Sequence, residues 1–136
     1  MTRFHYGHGT ALALVAAGPS FMLLLLVGQL LYDPNGTDLT ELLALLPVLL
    51  IATVVGMVIS LLPVLLGGLA MGYLGVLSVG ARHPVLWAAA GAGLGALMGF
   101  AFDSARTSWL VLPFPLNGAI CALIVRYGTR WSDDSV

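Results

Sequence analysis

The feature that most constrains this chain is the distance between its charges. Between Arg3 and Asp33 lie 29 residues, between Glu41 and Arg82 lie 40, between Arg82 and Asp103 lie 20, and between Arg106 and Arg126 lie 19. These apolar intervals make up most of the 136 residues. A hydrocarbon core of about 30 Å takes about 20 helical residues to cross, and each backbone N–H and C=O inside it must be bonded within its own segment. Intervals of this length and character read as membrane-spanning helices.

Composition points the same way. At 60% hydrophobic and 8% charged residues, with mean hydropathy +1.03, the chain has too few polar side chains to coat a water-soluble globule. The expected fold class is an all-α integral membrane protein, with residues 1–136 forming one polytopic domain. Five arginines and no lysine set against six acids leave a net charge of −1, which offers no basic face to a nucleic acid. The single Cys121 allows neither an intramolecular disulfide nor a cysteine-cluster metal site.

Four spans are expected, over about 9–32, 39–61, 84–103 and 108–127. The first apolar stretch is longer than a secretory h-region and has no small-x-small cleavage site after it, so it reads as a retained span. The 40-residue interval is ambiguous, because as one helix it would reach about 60 Å and could cross twice, giving five spans. The positive-inside rule favours four. With the N-terminus inside, Arg3, Arg82, Arg126 and Arg130 are cytoplasmic and only Arg106 is outside, whereas five crossings split the arginines three to two. Residues 63–81 then form a re-entrant or interfacial excursion after the second span. Its start is signalled by Ser60 to Pro63, followed by Gly67 and Gly68. The run Asp33-Pro34-Asn35-Gly36-Thr37 is dense in turn formers, and Asp38 with Glu41 has capping-box spacing for the second helix. Phe4, Tyr6, Tyr32, Trp87, Trp109, Tyr127 and Trp131 fall where interfacial aromatics are expected. Richness in Leu, Ala and Gly without lysine suggests a GC-rich bacterial genome, hence a bacterial cytoplasmic membrane with both termini cytoplasmic.

Two groups of residues stand out. In the third span Gly91, Gly95 and Gly99 recur every fourth residue, with Ala88, Ala92 and Ala96 on the adjoining stripe, so one helix face is nearly bare backbone. Small residues let apolar helices approach closely, and that contact drives their association in lipid. The face is read either as an interface for a membrane-protein partner or a second copy, or as packing within the chain. Gly68 and Gly72 give a weaker signal of the same kind. The fourth span contains Pro113, Pro115 and Asn117, which would kink the helix and free the carbonyls of Trp109 and Val111. That arrangement can line a polar pocket, or Asn117 can simply bond a neighbouring helix.

The remaining polar residues say less. His5 and His8 are three apart and could share a helical face, but two ligands do not make a metal site. Arg82-His83-Pro84 reads as a cytoplasmic corner, and Asp103 with Arg106 as a solvated ion pair. Asn35-Gly36-Thr37 matches a glycosylation acceptor, a triplet frequent by chance.

No Asp, Glu, Lys, Arg or His lies well inside a span, which disfavours proton-coupled transport, and no nucleophile–base pair or metal-ligand motif for intramembrane hydrolysis occurs. The function expected is therefore non-enzymatic, without cofactor or metal. The chain would act through helix contacts as an accessory, assembly or protective, immunity-like subunit. The alternative is an oligomeric channel or facilitator for a small neutral or weakly polar solute, its path lined by Pro113, Pro115 and Asn117. A third possibility is lipid handling at the membrane surface through Arg82, Arg126, Arg130 and Trp131.

Overall fold

The computed structural model describes residues 3–5, 7–32, 39–102 and 112–132. In chain order these form β1 (Arg3–His5), α1 (Gly7–Tyr32), α2 (Leu39–Leu77), a 3-10 turn (Val79–Arg82), α3 (Pro84–Phe102), α4 (Pro113–Gly128) and β2 (Arg130–Ser132). The described residues are all-helical apart from the two short strands. Among them three helices, over Gly7–Leu31, Thr53–Leu77 and Pro84–Ala101, are long and apolar enough to cross a membrane. Their surfaces are apolar all round, with Leu23, Val54, Leu66 and Leu97 among many large side chains left exposed. In lipid such a surface needs no polar cover.

With so uniform an exterior, the helices are sorted by small residues. α1 runs antiparallel to α4: Gly9 meets Val125 and Gly128, Cys121 Sγ lies 3.8 Å from the Ala13 carbonyl, and Phe21 packs edge-on against Phe114 with ring centroids 4.9 Å apart. α3 runs antiparallel to α4 through Gly91 and Gly95, which touch Gly118 and the Phe114 backbone. α2 meets α1 where Gly18 abuts Thr53 and Gly56. α4 thus lies between α1 and α3, while α2 contacts α3 and α4 only slightly. The buried core is correspondingly lean and comprises Ala13, Ala17, Trp87, Cys121 and Val125.

At one end of the molecule β1 and β2 form an antiparallel ribbon, with Arg3 opposite Ser132, Phe4 opposite Trp131 and His5 opposite Arg130. Two strands alone are marginal in water. Here Trp131 anchors the ribbon by packing against the core at Trp87, with Gly75 of α2 alongside.

Two expectations need correction. The break at Ser60 to Pro63 is not formed, since α2 runs unbroken through Pro47 and Pro63 to Leu77. Residues 63–77 extend the second helix, and what remains of the excursion expected over 63–81 is the turn Val79–Arg82. The physical reason is the solvent: unwinding in lipid would orphan several backbone groups, whereas one proline removes a single N–H. Ser60 keeps its own hydroxyl inside the helix by donating to the Gly56 carbonyl at 2.6 Å. The second correction concerns Pro113 and Pro115. They stand in the first turn of α4 rather than at a kink within it, where a missing N–H costs no helical bond. The stretch 103–111, including Asp103, Arg106 and the carbonyls of Trp109 and Val111, lies outside the described residues, as do Asn35-Gly36-Thr37 and Asp38.

Candidate functional site

Because α2 touches α1 at Gly18–Gly56 and then slants across to reach Trp131 with Gly75, it bridges over the faces of α3 and α4 without filling the space beneath. A cavity of about 400 Å³ results, bounded by all four helices. α2 contributes Ile59, Pro63, Val64 and Met71, and the opposite wall is built by Leu94 and Met98 of α3 with Phe114 and Val125 of α4. The small residues that pull α3 and α4 together, Gly91, Gly95 and Gly118, also deepen this wall by presenting no side chain.

The lining is apolar except for a few groups. Asn117 Nδ2 donates to the Ala17 carbonyl at 3.2 Å, and its Oδ1 lies 2.5 Å from Ser20 Oγ, which donates to it. Ser20 Oγ also lies 2.6 Å from the Ala16 carbonyl and 3.3 Å from the Ala17 carbonyl, so its single proton is shared among three acceptors. Ser60 and Cys121 complete the polar set. Asn117 therefore ties α4 to α1 at the cavity wall.

The other end of the cavity is closed by Trp87, whose indole N–H donates to the Ala81 carbonyl at 3.0 Å. Beneath it Trp131 packs edge-on, with centroids 6.3 Å apart at 78°. Two guanidinium groups converge on Trp131, Arg126 at 4.6 Å and Arg82 at 5.5 Å from the ring centroid. Cation–π contacts of this kind contribute about 0.5–2 kcal/mol each. Arg82 Nε donates to the Gly75 carbonyl at 2.8 Å, capping the last turn of α2, and Arg126 Nε donates to the Arg82 carbonyl. The two arginines thus stitch the ends of α2, the 3-10 turn and α4 into one rim. The Trp131 indole N–H is buried and has no hydrogen-bond partner among the described residues.

The residues singled out in the sequence fall as follows. Gly91, Gly95 and Gly99 face Gly118 and Phe114 of the same chain, with Ala88, Ala92 and Ala96 half-buried beside them. Gly68 lines the cavity and Gly72 is buried. Of Pro113, Pro115 and Asn117, only Asn117 borders the cavity. His5 lies in β1 and His8 in α1, both exposed, so they share no helical face. His83 accepts the Val85 N–H at 3.4 Å beside the start of α3. What the sequence reading missed is the pairing of Ser20 with Asn117 and of Trp87 with Trp131. The repeat Gly9, Ala13, Ala17 on α1, spaced by four like the glycines of α3, was the available signal for the α1–α4 seam. Compared with protein-family models, curated proteins and solved structures, the chain matches none.

Proposed function

We propose that this is a non-enzymatic membrane protein that takes one apolar chain of a bilayer amphiphile into its intramembrane cavity, serving a larger membrane system as an accessory or protective subunit. The observation that carries the reading is the cavity itself, apolar and bounded by four helices. Its volume suits a folded acyl or prenyl chain, and the weak α2–α3 contact leaves a side entrance facing lipid. In this reading α4 is a fourth crossing. The ribbon brings residues 3–5 and 130–132 together beside Arg82 and Arg126, as an even number of crossings requires. Four arginines at that end support a cytoplasmic placement by the positive-inside rule, in a bacterial cytoplasmic membrane.

Partner or self-association through the third span would have to compete with α4 for Gly91, Gly95 and Gly99, so outside contacts are assigned to the exposed face of α2. A solute path through Pro113, Pro115 and Asn117 gains no support, because Asn117 is held to Ser20 and Ala17. The test is native mass spectrometry of the chain extracted in a mild detergent. Wild type is expected to retain one lipid-sized adduct, and Ala90→Phe, which fills the cavity wall, to release it. A wild-type chain bare under every extraction condition rules the reading out. A pull-down from the native membrane is expected to bring a stoichiometric second protein; a homo-oligomer alone would remove the accessory role.

A further inference from the structure

Resting on that cavity reading, we infer that Asn117 is a ligand-binding residue, and that the amphiphile held by this chain is an uncharged lipid whose carbonyl oxygen accepts a hydrogen bond from the Asn117 amide at mid-membrane. A quinone ring on an apolar tail has this chemistry.

The first argument is a donor hydrogen left over. Asn117 Nδ2 carries two hydrogens. One goes to the Ala17 carbonyl, and no described residue accepts the other. The Ser20 hydroxyl, by donating to Oδ1, fixes which end of the amide is which, so the donor is oriented before a ligand arrives. Asn117 is half-buried and borders the cavity directly, so no other side chain separates the two. Lipid supplies no water to take the second hydrogen, which makes a bound acceptor its natural partner.

The second argument is depth. Gly118, the next residue, touches Gly91 and Gly95, which straddle the middle of α3. Ala17 and Ser20, the partners of Asn117 on α1, likewise fall near the middle of that helix. A phospholipid ester sits at the edge of a hydrocarbon core about 30 Å thick, hence about 15 Å from this donor. Plain acyl chains bring no acceptor to that depth, whereas a lipid without a charged headgroup can carry its carbonyl there.

The third argument is the lining. No described residue lining the cavity is charged, so a phosphate or an ammonium would enter it without a partner. Phe21 and Phe114 border the cavity, one residue from Ser20 and three from Asn117, and supply aromatic surface beside the donor that suits a planar ring. A single oriented polar group in an apolar wall is how such cavities fix the pose of a small ligand.

The experiment uses the full chain in maltoside micelles. Decyl-benzoquinone with isotope-labelled carbonyl carbons is compared with decylbenzene, which has the same ring size and tail and no acceptor. Binding is followed by native mass spectrometry and the carbonyl stretch by infrared spectroscopy. The quinone is expected to bind about fivefold tighter, the factor that one hydrogen bond supplies, with its stretch at lower frequency than in empty micelles. Asn117→Leu is expected to lose both the preference and the shift, while Ser20→Ala, which loosens the same helix contact and spares the Nδ2 donor, keeps them. If wild type binds the two compounds equally, if the shift survives Asn117→Leu, or if Ser20→Ala abolishes it as well, the carbonyl site is overturned and the cavity reading stands. If neither compound binds, the cavity reading fails and this inference with it. Should Asn117→Leu not fold, the wild-type comparison of the two compounds still decides.

Discussion

Glycine at position 95 shows how little freedom single residues have here. A Cβ at Gly95 would press into the Phe114 carbonyl, and one at Gly91 into the Gly118 carbonyl, backbone atoms that cannot move aside. Gly95→Leu is therefore expected to separate α3 from α4 and to destabilise the fold by about 3 kcal/mol, the upper range for overpacking, as read by thermal unfolding in detergent. Asn117→Leu removes the bonds to Ala17 and Ser20 and is expected to cost about 1 kcal/mol, the usual scale of an interhelical hydrogen bond in a membrane. An unchanged transition in the second variant would mean that Asn117 does not brace α1. The spacing of Gly91, Gly95 and Gly99 was readable in the sequence, but its partner was not. A bare face says that something comes close without saying what, and Gly118 of the same chain was as good a candidate as any other surface. Trp131 was readable as an interfacial ring, whereas its embrace by Arg82 and Arg126 depends on a ribbon that no local pattern announces.

Helices carry the clearest mismatch between reading and structure. The apolar intervals marked all four helices, and α1 and α3 end within a few residues of their expected bounds. α2 does not, because the rule that proline breaks helices is calibrated in water, where freed groups are solvated; in lipid Pro63 is the lesser cost. Pro63→Ala is accordingly expected to leave helical content unchanged by circular dichroism, and a rise would show that the proline had been interrupting the helix. The cavity also belongs to this scale. It arises from the slant of α2 across its neighbours, a property of crossing geometry that a one-dimensional pattern of small and large residues does not encode. Gly67→Leu, directed at Leu94, is expected to narrow that space and weaken lipid retention several-fold while sparing the Gly18–Gly56 contact. Retention by native mass spectrometry would check it.

For the molecule as a whole, Arg3, Arg82, Arg126 and Arg130 gather at one end, and Arg106 lies outside the described residues. In a Cys121→Ser background, a cysteine replacing Gly80 is expected to react with an impermeant thiol reagent from the same side as one replacing Arg130, and a cysteine replacing Gly36 from the opposite side. Labelling of positions 36 and 80 from one side would remove the four-crossing arrangement. The central place of α4 has a consequence for how the protein is made. Ribosomes deliver α1, α2 and α3 before the helix on which α1 and α3 both pack. Until then the seams at Ala13, Ala17, Gly91 and Gly95 stand open to lipid and to every other nascent span nearby. A chain arrested before residue 113 would hold its first three helices yet be unable to close, and the quality-control machinery of its membrane would meet it as an orphan.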